Sequence, residues 1–441
     1  MEWGFAILMA SDSDASRNIT IKGCKITMNR EYSVSPFSTG IYSRNHLSGS
    51  VAAIVPASES GVVSHCRIDS CIISDVVCGI QWVGAAQPDH YGQDNLIGNS
   101  DGNIIFNFGG GNAPAYGIYI AGQNDVGILN NDISGGDGTL SSLYGIFSGT
   151  AVNSSIHIRN NTLSLVSAAT TSNTYGIYNS AGSQGAGNAI RITGNYIYIQ
   201  WPTVTSGNLY GIFQSAGSWR CNVDSNSVTG CIQGGLEGIV STGQFAAIYS
   251  FGSNQVSGSH WSIKGNHITG NSKIQTLRGT GVAYGIYNSS SGLSLEISDN
   301  QITDNQWSSS SIGAGIFVSN STAKSILIDN NQIINLSKPG ALPNALPRSG
   351  SLYGIFAGAT ANNALVGISA NHIENLSNSW GGRIFGIRCD VGSTSSVEIQ
   401  ANQCRLFSAD DQAVYGIYGG SGLKFNIFNN KVAGLNAITG D

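Results

Sequence analysis

The sequence predicts an all-β fold, a parallel β-helix solenoid of about 13 coils, with residues 1–441 forming a single domain. Two recurring strings and one bias in composition predict it. The first string is aromatic-Gly-Ile-aromatic, as in Tyr116-Gly117-Ile118-Tyr119, Tyr144-Gly145-Ile146-Phe147, Tyr210-Gly211-Ile212-Phe213 and Tyr415-Gly416-Ile417-Tyr418. The second is apolar-x-apolar-x-x-Asn-x-apolar, which alternates with the first along the chain. The bias is toward Gly, with 59 residues, and away from charge, at 10% against about 25% in ordinary soluble domains.

The Asn of the second string marks one slot per coil, here termed the corner. It is filled in turn by Cys24, Cys71, Asn103, Asn131, Asn161, Asn195, Asn226, Asn266, Asn300, Asn331, Asn371, Asn402 and Asn430, at intervals of 28 to 47 residues. Positions five and three before the corner and two after it should point inward. They read Ile190/Ile192/Ile197, Trp261/Ile263/Ile268, Leu295/Ile297/Ile302 and Ile326/Ile328/Ile333 in four of the coils, and only the Asn103 coil departs from the rule. A two-residue spacing is strand periodicity, and β-branched side chains suit a pleated surface. Polar residues such as Arg159, Arg191, Lys264, Glu296, Asp329 and Glu398 lie between the inward ones, so each strand has a dry face and a wet one. Such a strand buries its dry face against copies of itself, stacked along an axis. Asp224 and Lys264, each two before a corner in neighbouring coils, are expected to form an exposed cross-strand pair.

The corner Asn is expected to take the left-handed backbone of a sharp turn and to form an amide ladder with copies about 4.8 Å away. The Gly of the first string is expected to allow positive φ or close backbone approach. Thirteen coils at this spacing would make a rod on the order of 60 Å long.

The string LxIxxNxI also fits a leucine-rich repeat. Those repeats run about 20–29 residues and return through a helix or 3₁₀ turn, whereas the return here carries the β-like YGIY segment. The repeats resemble the right-handed parallel β-helix repeats of the pectate-lyase-like superfamily over nearly the whole chain. The resemblance implies a right-handed coil and leaves function open, because that fold hosts lyases, hydrolases, epimerases, phage tailspikes, adhesins and passenger domains.

At the start, Trp3-Gly4-Phe5-Ala6-Ile7 fits the aromatic-Gly slot, so the chain enters mid-coil. No amphipathic cap is visible there or after Asn430. The expectation is a solenoid uncapped at both ends: a segment of a longer protein, or one that stacks end to end or as a homo-oligomer. The net charge of −5, without a basic stripe, argues against nucleic acid. No apolar run reaches the roughly 20 residues of a membrane helix. The opening MEWGFAILMASDSD lacks a basic region and a small-residue cleavage site, so no signal peptide is expected in this chain. The 8 Cys include no CxxC pair and mostly fill core or corner slots as small hydrophobes. No HxH or HExxH pattern indicates zinc.

Polysaccharide-cleaving enzymes of the resembling fold need paired carboxylates, or an Arg or Lys base with carboxylate-bound calcium. Of a polygalacturonase-like set, an NTD-type stretch with DD, GHG and RIK, only Asp410-Asp411 is present. Asp304 and Glu374 share the same post-corner loop. These four are the candidate catalytic residues, with calcium the cofactor only if the chain is an enzyme. An adjacent acidic pair on a loop is otherwise solvated surface. Trp201, Trp307 and Trp380 follow their corners by six to nine residues and are the candidate glycan-binding rings. The competing reading folds each ring over the apolar edge of its own loop. The functional expectation is a non-catalytic extracellular or cell-surface rod, an adhesin, passenger or structural element that binds polysaccharide or surface glycan along its long-loop side. The alternative is a polysaccharide lyase, glycoside hydrolase or epimerase whose carboxylates are scattered over neighbouring coils.

Overall fold

The computed structural model describes residues 2–30, 38–183, 185–235, 241–274, 280–289, 292–339, 350–379, 381–410 and 412–438. It is a parallel β-solenoid of about 13 turns with almost no helix. A turn supplies one strand carrying the YGI string, one before the corner and one after it, and strands of each kind pair in parallel register. Among the described residues no helix is long and apolar enough to cross a membrane. The chain divides into two compact units, Met1–Ile199 with Phe213–Asn222, and Gln200–Ile212 with Val223–Asp441.

In the first unit the YGI strands include Ser38–Leu47, Cys78–Val83, Ala115–Ala121, Leu143–Val152 and Thr174–Ser183. Their register places Ile41, Ile80, Ile118, Ile146 and Ile177 in one fully buried column. Before the corner, Val126–Leu129, Ile156–Arg159 and Ala189–Thr193 stack Ile128, Ile158 and Ile192. After it, Asp132–Gly135 and Thr162–Val166 stack Ile133 on Leu163. The second unit repeats the scheme. Ile248, Ile286, Ile316, Ile355 and Ile387 form the YGI column. Ile263, Ile297, Ile328, Ile368 and Ile399 form the column before the corner. The expected inward residues are buried in the interior coils; Ile19, at 37% exposed, and Ile427, at 48%, belong to the first and last coils.

The Asn103 coil follows the same rule with three residues inserted. Ile97 pairs with Ile68 on one side and Ile128 on the other, so it fills the inward slot although it lies six residues before the corner. The Gly of the YGI string serves close approach, and φ is not positive at Gly117 or Gly354. A Cβ on Gly117 would stand 2.5 Å from Ile133 Cγ2 and 2.6 Å from the Gly145 carbonyl. On Gly354 it would stand 2.6 Å from the Gly386 carbonyl. No side chain fits between the YGI sheet and the post-corner strands there.

The left-handed residue of the turn is the one before the corner, not the corner Asn. Asn130, Asn160, Ser225, Asp299, Asn330 and Ala370 have φ of 58°, 55°, 58°, 57°, 52° and 54°. The corner Asn turns its amide inward instead. Asn300 Oδ1 accepts the Asn266 backbone N–H at 3.0 Å and Asn266 Nδ2 at 2.9 Å. Asn300 Nδ2 donates to Ile263 O and to Asn331 Oδ1, both at 2.9 Å. The same bonds link Asn103, Asn131, Asn161 and Asn195 in the first unit. They link Asn266, Asn300, Asn331, Asn371, Asn402 and Asn430 in the second. An amide in a dry interior is tolerated only when its donors and acceptors are paired, and here they are. A second, shorter ladder lies five residues farther on. Asn271 Oδ1 accepts the Cys231 N–H at 2.9 Å, and Asn271 Nδ2 donates to Asn305 Oδ1 at 3.0 Å.

Candidate functional site

Trp201 and Trp307 do not form a ligand platform, because both are completely buried. Trp201 ends a long post-corner strand, Tyr196–Trp201, as its third inward residue, and Trp307 takes the equivalent position after a second turn at Asp304. Register places Trp201, Gln233, Lys273 and Trp307 in one column of the second unit. Lys338, after the partner of Gln306, and Asn378 continue it. Trp307 packs on Phe245 with ring centroids 5.1 Å apart. The column also holds two lysines that are 0% exposed. Their amines serve glycine-turn carbonyls that point inward. Lys273 Nζ donates to Gly243 O and to Gln233 Oε1, the latter at 3.2 Å. Lys338 Nζ donates to Ser311 O at 2.5 Å and to Gly350 O at 2.7 Å. Burial pulls both amines down to about 7. Trp380 lies outside the described residues.

The candidate carboxylates are dispersed. Glu374 Oε2 accepts Arg405 NH2 at 2.7 Å and pairs with His372 Nε2 at 2.8 Å. Those two partners hold its carboxyl below the usual range, Arg405 foremost, the opposite of what a general acid needs. Asp304 sits in a left-handed turn at φ 56° and accepts Asn335 Nδ2 at 2.7 Å. Asp410 is exposed at the end of the strand Gln403–Asp410, and Asp411 lies outside the described residues. Among the described residues no group of three or more His, Cys, Asp and Glu gathers in a way that could hold a metal ion. The expected Asp224–Lys264 pair is replaced by a different arrangement. Asp224 Oδ1 accepts the Lys264 backbone N–H and Ser262 Oγ, each at 2.9 Å. The Lys264 ammonium turns the other way, to Asp299 at 3.2 Å and Glu296 at 3.7 Å.

The second aromatic of the YGI string forms rows of rings that are half-buried, apart from the buried Phe317. Tyr119 meets Phe147 edge-on at 5.1 Å, and Phe147, Tyr178 and Phe213 stack with centroids 5.0 and 5.1 Å apart in the first unit. Tyr249, Tyr287, Phe317 and Phe356 do so at 4.7, 5.9 and 4.4 Å in the second. Within each row the rings cover one another, so the rows offer edges more than open ring faces to a ligand.

A trough of about 430 Å³ does open on the wet face of the pre-corner strands in the second unit. Gly367 makes it. The outward position four before the corner holds Glu296, Leu327, Gly367, Glu398 and Asn426 in successive coils, and the missing side chain leaves a gap between Leu327 and Glu398. A Cβ on Gly367 would meet only Leu327 Cδ1, at 3.5 Å. Leu365, 63% exposed, and Leu327, 39% exposed, form an apolar bed. Ser325, Ser369, Ser396 and Gln400 edge it with hydroxyls and an amide, and Glu398 is the carboxylate in its lining. Motif reading missed this site because its signature is an absent side chain in a column visible only after the coils are aligned. Comparison with protein-family models, curated proteins and solved structures finds no match to the chain.

Proposed function

We propose that this chain is a non-catalytic β-solenoid, acting outside the cell or on its surface, that holds a stretch of glycan in the trough over Gly367. The trough carries the reading. Its bed is apolar, its edge is hydroxyl and amide, and it crosses four stacked strands. A sugar ring has a C–H face and a hydroxyl girdle, and pockets that take such ligands combine apolar lining with a few placed polar groups. The likeness of the repeats to those of pectate-lyase-like proteins supports the same ligand class. The commitment of Glu374 to Arg405 and His372, and of Asp304 to Asn335, supports binding over cleavage.

The test is retention of the chain on immobilised acidic and neutral polysaccharides, with the same incubations read for new reducing or unsaturated ends. Gly367→Phe fills the trough without entering the core and should cut retention at least about tenfold. Equal retention by this variant would remove the trough from the proposal. New chain ends would replace it with the polysaccharide-cleaving alternative.

A further inference from the structure

The corner slots that lack Asn are consecutive, and both hold Cys. Cys24 and Cys71 stand directly over one another. The residues after them, Lys25 and Ile72, pair in parallel register, as do Lys22 and Asp69 two residues before, and the Ile72 N–H donates to Cys24 O at 2.8 Å. In the neighbouring coils this stacking brings Asn103 Nδ2 to 2.8 Å from Asn131 Oδ1. Between the two cysteines it sets one thiol-bearing side chain over the other. Adjacent parallel strands lie about 4.8 Å apart, inside the roughly 4.4–6.8 Å window of Cα separations that a disulfide spans. The thiol contacts are weak ones to carbonyls, Cys24 Sγ to Lys22 O at 3.5 Å and Cys71 Sγ to Asp69 O at 3.4 Å and Ile21 O at 3.6 Å. Of the eight cysteines, seven are buried and Cys24 is half-buried.

We propose that Cys24 and Cys71 form a dithiol site that a small disulfide oxidant, such as oxidised glutathione, converts to a disulfide clamp between the first two coils. The exposure of the two thiols sets the order of events. The Cys24 thiolate attacks the oxidant, forming a mixed disulfide and releasing one glutathione thiolate. The Cys71 thiolate then attacks the Cys24 sulfur and expels the second. Two protein thiols lose two electrons and two protons, and one disulfide of the oxidant becomes two thiols. Cys71, fully buried, does not meet the oxidant itself. Burial also raises its thiol pKa, so closure is the slower step. The clamp would fasten a coil whose inward residue Ile19 is partly open to water.

The experiment incubates the reduced full chain with oxidised glutathione, alkylates it under denaturing conditions, and reads intact mass and linked peptides. The expected result is a loss of about 2 Da before alkylation, a Cys24–Cys71 linked peptide, and a higher melting midpoint than the reduced chain. Cys71→Ser should stop at a glutathione adduct on Cys24, and Cys24→Ser should give neither adduct nor link. The double change Cys24→Asn, Cys71→Asn extends the amide ladder and serves as the folded control. A wild-type chain that stays fully reduced, stops at the Cys24 adduct or links other cysteines would overturn the proposal. So would an oxidised chain that melts no higher than the reduced one.

Discussion

Lys273 lies between Gln233 and Trp307 in the buried column, its amine 3.2 Å from Gln233 Oε1 and donating also to the Gly243 carbonyl. A lysine in this setting makes stability depend on pH, and the sign follows from proton counts. Burial lowers its native pKa to about 7, and the unfolded value is about 10.4. Below about pH 7 both states carry the proton and the full cost of burying charge is present. Above it the native amine is neutral while the unfolded one still binds a proton, so stability rises with pH, by at most about 1.4 kcal/mol per pH unit. Lys338, lowered to about 7 by the same cause, adds to the slope. Urea midpoints of the wild type should climb from pH 7 to pH 9, and Lys273→Met should flatten the climb. A midpoint independent of pH would contradict the assignment.

Trp307→Ala should be costly. The ring is fully buried against Phe245, and emptying its site leaves a large cavity. The expected loss is about 3–5 kcal/mol by denaturant unfolding. A loss below about 1 kcal/mol would mean that the ring does not pack as described.

Asn300→Ala should cost several kcal/mol. It takes the Asn300 Oδ1 acceptor away from the Asn266 N–H and from Asn266 Nδ2 in a dry interior, at about 1–3 kcal/mol for each orphaned group. Asn375→Gly keeps the left-handed backbone of φ 54° without strain and removes one exposed bond, from Asn375 Nδ2 to Asn335 Oδ1, and should change stability by less than about 0.5 kcal/mol. Equal effects in the two variants would argue that the inner ladder carries no special weight.

Gly354→Ala tests the contact between sheets. The new methyl would press on the Gly386 carbonyl and on Ile373 Cγ2, 2.6 and 2.7 Å away. Overpacking of this kind costs about 1–3 kcal/mol. Gly367→Ala, with open space outside it, should melt like the wild type; thermal denaturation separates the two.

Much of the fold was legible because its signal repeats. Ile297 and Ile302 can be recognised as inward from one coil alone, and each further coil restates them. Three features escaped for physical reasons. The left-handed turn position accepts Asn, Asp, Ser, Gly or Ala, so it has no single letter, and the invariant-looking Asn beside it draws the attribution. The Asn103 coil keeps Ile97 inward across three looped-out residues, which defeats fixed spacing. Trp201 and Trp307 lie beyond the Ile triplet and read as loop residues, although the strand Tyr196–Trp201 runs on over the core and a second turn at Asp304 carries Trp307 back over it. The candidate site was less legible still. Outward positions follow no rule of burial, and the trough depends on Gly367 standing where its neighbours hold Leu327 and Glu398.

The amide ladder has a direction. Each corner offers its backbone N–H and Nδ2 to the oxygen of the corner that comes later in the chain, as Asn266 does to Asn300 and Asn300 to Asn331. During synthesis from the N-terminus, therefore, the newest corner already holds its predecessor through Oδ1 and one Nδ2 hydrogen, while its backbone N–H and the other Nδ2 hydrogen await an acceptor not yet made. The last two donors of each corner are satisfied only by the turn that follows it.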